Sequence, residues 1–241
     1  MAERSVTLLG VGIYTRAEVA KLLRLSATRV SSWVRGYRYT WGPREARRRG
    51  QQPAVIKTDI PTFDGTLAIS FLELMELRII KEFRDQGIPL QTVRVAWGHA
   101  ARAFKSDHPF ADHRVFTDAG KIFLSLADED PSVALLEVSS RQQPFQLVAG
   151  PIFKSSLQRI KFDERSHLAR EYWPQGRSTP IVLNPDIAFG APVVAGTRVP
   201  TSILARFAQA RSVASVAELF RLPEQQIQAA VGFESQLARA A

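Results

Sequence analysis

Apolar and polar positions along this chain follow two periods. From residue 15 the period is helical. Val19, Ala20, Leu22 and Leu23 recur at helix spacing behind Thr15-Arg16-Ala17-Glu18, a capping box whose hydroxyl and carboxylate each satisfy a free backbone N–H. Arg24-Leu25 leads to Ser26, a cap for a second helix running to about Arg35. That helix turns Val30, Trp33 and Val34 inward and leaves Thr28, Arg29, Ser32 and Arg35 outside, and Gly36 ends it. Two short helices joined by a tight turn, the second carrying small polar and Arg residues on its outer face, predict a helix-turn-helix.

Residues 66–86 are apolar on nearly every side, from Leu67 through Leu74, Met75 and Ile80 to Phe83. Such a helix is buried against other elements or another subunit, and is the candidate dimer contact. Gly87-Ile88-Pro89 breaks it. A helix over 90–105 then puts Val93, Trp97, Ala101 and Phe104 on one face. From Val115 the period shortens: Val115-Phe116, Asp118-Ala119-Gly120 and Ile122-Phe123-Leu124 predict a β-hairpin, with further strands at 133–138 and 159–162. Residues 142–156 fit helix or strand equally. The Pro/Gly/Ser composition of 172–180 reads as a linker. A Gly- and Pro-punctuated strand-turn-strand unit follows, then helices over 201–210, 213–220 and from Pro223 to about Leu237. The class expected is α+β, with a helix-turn-helix part over 1–108, a β-containing middle segment over 109–176 and a trihelical part behind a short β-unit over 177–241.

A short pattern occurs twice. Val19-Ala20-Lys21-Leu22-Leu23-Arg24-Leu25 and Val216-Ala217-Glu218-Leu219-Phe220-Arg221-Leu222 share V-A-x-L-x-R-L, each followed by a helix-start residue and an apolar residue at one offset, Val30 or Ile227. The second unit therefore also reads as a helix-turn-helix, but its outer residues are Glu224, Gln225, Gln226 and Gln228. Gln can read adenine. The absence of Arg there favours a protein contact over DNA.

Charge sharpens this division. The 241 residues carry 32 Lys+Arg against 23 Asp+Glu, net +9, yet residues 1–60 hold twelve of the bases and four of the acids. The first quarter is thus +8 and the remainder nearly neutral, which points to a polyanionic partner, nucleic acid before membrane. Residues 35–49 concentrate six Arg, one acid and three aromatics around Gly and Pro. Such a loop or β-wing suits phosphates, with Arg35, Tyr37, Arg38, Arg44, Arg47, Arg48 and Arg49 in contact and Arg16 adding one more cation. Thr28, Arg29 and Ser32 would reach base edges of double-stranded DNA.

Other chemistry is sparse. There is no cysteine, hence no disulfide or thiol site, and a cytoplasmic location is the expectation. No apolar run approaches eighteen residues, and residues 6–13 read as an N-terminal arm rather than a signal peptide. His99, His108 and His113, with Asp107 and Asp112 between them, do not match a metal-ligand spacing, so no metal or cofactor is expected. Scattered histidines, no phosphate-binding glycine loop and no G-x-S-x-G argue against an enzyme.

Two stretches resemble known families. Tyr14-Thr15 with Glu18-Val19-Ala20, then Val30-x-x-Trp33, Gly36-Tyr37-Arg38 and Phe83-Arg84-Asp85-Gln86-Gly87-Ile88-Pro89-Leu90-Gln91 resemble the MerR-like winged helix-turn-helix domain, without that family's long dimerisation coiled coil. Asn184-Pro185, Gly190, Pro192, Gly196-Thr197-Arg198 and Val199-Pro200 resemble a small antitoxin-associated domain, G-x-P-v-v-x-G-T-R-v-P and three helices. Its members are commonly VapB-type antitoxins paired with a PIN-domain-like ribonuclease toxin. The resemblance implies a homodimeric antitoxin that binds the toxin and represses its own operon. Gly190, Pro192, Gly196, Thr197, Arg198 and Pro200 would serve the partner contact or the turn itself. The rival reading is a MerR-like, ligand-responsive regulator without a toxin, its effector pocket within 107–175.

Overall fold

The computed structural model describes residues 10–44, 46–60, 65–117, 154 and 158–239. It is a mixed α+β chain: among these residues there are eight α-helices and four two-stranded antiparallel pairs. Strand β1 (Ile13–Thr15) leads into α1 (Arg16–Leu23), and α2 (Ala27–Arg35) follows. The expected caps are present. Thr15 and Glu18 form the capping box, and Ser26 accepts from the Arg29 N–H. The chain then forms a hairpin, β2 (Tyr37–Trp41) against β3 (Arg48–Gln52), before β4 (Ala68–Ser70) pairs with β1.

Helix α3 (Phe71–Asp85) starts at a second capping box, Ser70 with Glu73, that the apolar pattern of 66–86 obscured. Its apolar ring is covered by this chain itself: Phe71, Leu74, Met75, Leu77, Ile79, Ile80 and Phe83 are buried among α1, β4, α4 (Leu90–Phe104) and a short turn at Pro109–Ala111. This corrects the expectation of a subunit contact on that helix, because no apolar face remains for a second chain. On α4 the deeply buried positions are Val93, Ala96 and Ala100, so its inner face is rotated from the one expected, and Trp97 is half-buried.

Val115 and Phe116 lie in α5 (His113–Thr117), not in a strand. Alternation over two residues cannot tell a strand from the end of a short helix. The rest of the expected hairpin, the strand at 133–138 and nearly all of 142–156 lie outside the described residues, as does most of the supposed effector region. Strand β5 (Ile160–Phe162) pairs with β6 (Ala169–Tyr172), and β7 (Ile181–Val182) with β8 (Val193–Val194). Helices α6 (Thr201–Ala210), α7 (Val213–Phe220) and α8 (Glu224–Arg239) close the chain near the expected bounds.

The stretch with linker composition is anchored. Tyr172 is buried, exchanges backbone hydrogen bonds with Leu183 at 2.9 Å, and its hydroxyl accepts from Arg78 Nε at 3.2 Å. One apolar cluster runs from Tyr14 through α3 to Tyr172 and Leu183, a second joins Ile181 and Val194 to α6–α8, and Leu22 packs on both.

The repeated V-A-x-L-x-R-L segments fold alike. Arg24 and Arg221 each leave their helix in the left-handed region, at φ 53° and 54°. Leu25 and Leu222 then donate back to Ala20 and Ala217 at 2.9 and 3.0 Å, the helix-ending bond usually built on glycine. Val30 and Ile227, at the shared offset, are fully buried. One turn geometry is used at both ends of the chain.

Candidate nucleic-acid interface

Helix α2 buries Val30, Trp33 and Val34, as its spacing requires, and this orients the opposite side outward. Thr28 and Arg29 are exposed there. Ser32 lies beside them, but its hydroxyl donates to the Thr28 carbonyl at 2.9 Å. Arg16 reaches across from α1 to the Ser31 hydroxyl at 3.3 Å, and Arg35 donates to the Gly65 carbonyl at 3.4 Å. Thr28 and Arg29 are therefore the α2 side chains best placed to approach a ligand.

The hairpin adds a second basic element. Its register sets Tyr37 opposite Gln52, Arg38 opposite Gln51, Tyr39 opposite Gly50, Thr40 opposite Arg49, and Trp41 opposite Arg48. Side chains alternate across a strand, so the two faces differ. One carries Arg38, Thr40, Arg49 and Gln51, which line a shallow depression together with Tyr39 and Gly50. The other carries Tyr37, Tyr39, Trp41 and Arg48. Arg44 and Arg47 stand at the exposed turn. Among the described residues no carboxylate pairs with Arg38, Arg44, Arg47, Arg48 or Arg49. Sequence reasoning grouped these residues as one basic loop; the strand register separates them.

Two contacts hold the base of the hairpin. The Val55 N–H donates to the Trp33 carbonyl at 2.7 Å, and Arg94 Nη2 on α4 donates to the Pro53 carbonyl at 3.1 Å. Beyond them, His108 bridges Asp59 (Nε2 to Oδ1, 2.8 Å) and the fully buried Glu76 (Nδ1 to Oε2, 3.2 Å). Glu76 also accepts from Trp97 Nε1 at 2.6 Å, and Asp59 from the Ser70 hydroxyl at 2.7 Å. Burial pulls the His108 pKa down, but its two carboxylate partners outweigh this and push it up to about 10. The imidazole is thus charged at neutral pH. Burial raises the carboxyl of Glu76, and the His108 contact opposes that shift. This network ties residues 53–60 to α3 and to the turn after α4.

Neither of the other histidine-segment acids joins it. Asp107 pairs with Lys57 at 2.7 Å, and Asp112 with Arg114 at 2.6 Å. Among the described residues no group of three or more His, Asp or Glu is placed to hold a metal ion, and no helix is long and apolar enough to cross a membrane.

The C-terminal motif residues do not form one exposed patch. Gly190, at φ +86°, lies under Tyr14, whose hydroxyl donates to the Gly190 carbonyl at 2.7 Å, so a Cβ there would strike that hydroxyl. Burial and the nearby charge of Glu18 raise the pKa of Tyr14, which stays a donor. The Pro192 carbonyl accepts from the Thr201 N–H at 2.9 Å, and Pro200 stands at the N-terminus of α6. Gly196 turns at φ +79°, and the Thr197 hydroxyl accepts from the Val199 N–H at 3.1 Å and donates to the Val194 carbonyl at 2.8 Å. Arg198 alone projects into solvent. Gly190→Val is expected to cost about 1–3 kcal/mol through forced φ and the Tyr14 collision, read as a drop in Tm. An unchanged Tm would show that this docking contributes little.

Exposed apolar side chains mark a surface the sequence reading missed. Ile203 (42%) and Phe207 (38%) on α6 and Leu219 (53%) on α7 are open to solvent, and Phe207 meets Phe220 edge-on at 5.4 Å. Arg206 on α6 is exposed, as are Arg211 and Arg221 just past the ends of α6 and α7. Surplus apolar residues on a helix otherwise satisfied by its core are the signal that could have revealed it.

Residues 12–97 match a family described as "Putative DNA-binding HTH domain", and residues 181–233 one described as "Protein of unknown function (DUF433)". The chain is 25% identical over 198 residues to a Mycobacterium tuberculosis (strain ATCC 25618 / H37Rv) protein named "Putative antitoxin VapB45", covering 78% of this chain and 79% of that one. It is 26% identical over 208 residues to "Uncharacterized protein Rv2308" of the same organism, covering 85% and 82%. The crystal structure of Rv2018 from Mycobacterium tuberculosis shares its fold at a TM-score of 0.67 and 22% identity, over 92% of this chain and 98% of that one. Residues 12–97 thus resemble a family described by a helix-turn-helix, and the chain is a distant relative of the protein named "Putative antitoxin VapB45".

Proposed function

We propose that this chain is the antitoxin of a toxin–antitoxin pair. It binds operator DNA through a MerR-like winged arrangement of α2 and the β2–β3 hairpin, represses its own operon, and neutralises a PIN-domain-like ribonuclease through its C-terminal helices. In this reading it is a cytoplasmic homodimer, not an enzyme, and needs no cofactor. The observation that carries the DNA half is the set of exposed arginines, paired with no carboxylate among the described residues, on a hairpin directly behind an outward-facing recognition helix. Thr28 and Arg29 enter the major groove, and Arg38 and Arg49 lie along phosphates.

The toxin half rests on the antitoxin-named relative and on the open apolar surface of α6 and α7. Its exposed arginines suit a nuclease whose catalytic cleft is acidic. Ile203, Phe207 and Leu219 replace the Gly190–Pro200 motif as the docking residues, because most of that motif is engaged within the chain.

The test is co-expression with the neighbouring gene product, followed by pull-down, ribonuclease assay and a DNA shift on the upstream region. The full chain should co-purify with the partner and suppress its ribonuclease activity. The double variant Ile203→Asp/Leu219→Asp should lose partner retention at least tenfold while shifting DNA as before. A neighbour that neither binds nor cleaves RNA rejects the antitoxin reading.

A further inference from the structure

Residues Tyr37, Tyr39 and Trp41 alternate along β2, so their rings share one face of the hairpin. Neighbouring ring centroids are 6.0 and 5.2 Å apart, and Tyr39 and Trp41 stack at 30°. All three are open to solvent, at 44%, 39% and 46%. Gly50 on the partner strand makes room for them. A Cβ there would come within 2.7 Å of both Trp41 and Tyr39, so the two rings lie across the backbone of β3. The result is a continuous aromatic platform, with Arg48 beside Trp41 on the same face.

We infer that this face is a stacking site for unpaired nucleobases, the ligand being a short single-stranded DNA segment. The inference rests on the reading that residues 12–97 bind DNA, and concerns the hairpin face opposite Arg38 and Arg49. Charge selects the ligand. Arg48 shares the platform, Arg44 and Arg47 stand at its end, and the opposite face holds Arg38 and Arg49, so any occupant sits in a strongly cationic field. A neutral apolar protein surface would cover the rings but leave these guanidiniums desolvated without counter-charge. A nucleic acid strand supplies both flat π-faces and phosphates, the pairing used by proteins that hold single strands. Duplex DNA keeps its bases stacked and offers the platform only phosphates and edges. The basic face would thus hold a duplex while the aromatic face captures bases released from one.

The experiment uses the full-length protein, a fifteen-residue oligo-dT and a duplex of equal length. Trp41 is the most exposed of the described tryptophans, Trp33 being buried and Trp97 and Trp173 intermediate. Oligo-dT should therefore quench the indole fluorescence, and Trp41→Phe should remove most of that quenching while keeping affinity. Tyr39→Ala/Trp41→Ala should weaken oligo-dT about tenfold or more and the duplex less than threefold. Circular dichroism checks that the variant is folded. Oligo-dT affinity unchanged in the double variant, or an equal loss for oligo-dT and duplex, overturns the inference. So does a change in sedimentation mass without a change in oligo-dT affinity, which assigns the face to a second copy of the chain. Duplex binding without oligo-dT binding sinks this inference alone, whereas failure to bind either sinks the DNA-binding reading as well.

Discussion

His108→Leu is expected to lower the unfolding free energy by about 3–5 kcal/mol at neutral pH, because it leaves buried carboxylate charge without its partner. Glu76 has no solvent exposure, and His108 is the cation that faces it and Asp59 together. Urea unfolding measures the loss, and adding Glu76→Gln should recover part of it, since an amide oxygen can still accept from Trp97 and Phe110. A single-variant loss below about 1 kcal/mol would show that the network does not carry the stability assigned to it.

The pH dependence has a definite sign. His108 is held up to about 10 in the folded chain against an ordinary 6.5, so its contribution is complete below 6.5 and is lost as pH rises through about 10. Burial raises the Glu73 carboxyl from 4.5 to about 7, so its contribution is present below 4.5 and disappears by about 7. Asp59, held below 3.8 by its His108 and Ser70 hydrogen bonds against the opposing effect of burial, acts the other way and is lost as pH falls through its lowered value. Wild-type stability should thus decline between pH 6.5 and 10. His108→Leu should be flatter across that window, and a parallel decline in both proteins would assign the titration elsewhere. The same substitution removes one of the ties on residues 53–60, so DNA binding should weaken even though His108 lies behind the hairpin.

Operator affinity should fall about 10³-fold per bound subunit between 50 and 200 mM salt. Neutralising about six phosphates per subunit gives a log–log slope near −5. The source is the exposed set of hairpin guanidiniums, Arg38, Arg44, Arg47, Arg48 and Arg49, which pair with no carboxylate among the described residues, together with the exposed Arg29 on α2. Arg49→Ala should weaken all sequences alike and reduce the slope by about 1, whereas Arg29→Ala should relax sequence preference at about 1–3 kcal/mol per base pair read. Fluorescence anisotropy across a salt series checks both. A slope near zero would contradict the electrostatic reading, and equal discrimination by Arg29→Ala and wild type would move base reading off α2.

Local signals in the sequence were dependable where one residue type does one job. Thr15, Glu18 and Ser26 cap the helices they announce, and Val30, Trp33 and Val34 are buried as their spacing requires. The C-terminal helices start and stop within about two residues of their signals. Two-residue alternation at Val115-Phe116 was too short to separate strand from helix, and the uniform greasiness of 66–86 hid both β4 and the Ser70–Glu73 cap. That same greasiness could not say whether the cover came from this chain or another.

The sequence by itself determined the charge division, the helix caps and the repeated turn, because these depend on composition or on contacts within about four residues. Only the tertiary structure decided which partners distant residues meet. It placed Asp59, Glu76 and His108 together, and closed Tyr14 over Gly190 at a separation of 176 residues. It also divided one arginine-rich run into a basic face and an aromatic face, because strand register, not spacing alone, decides which side chains stand together.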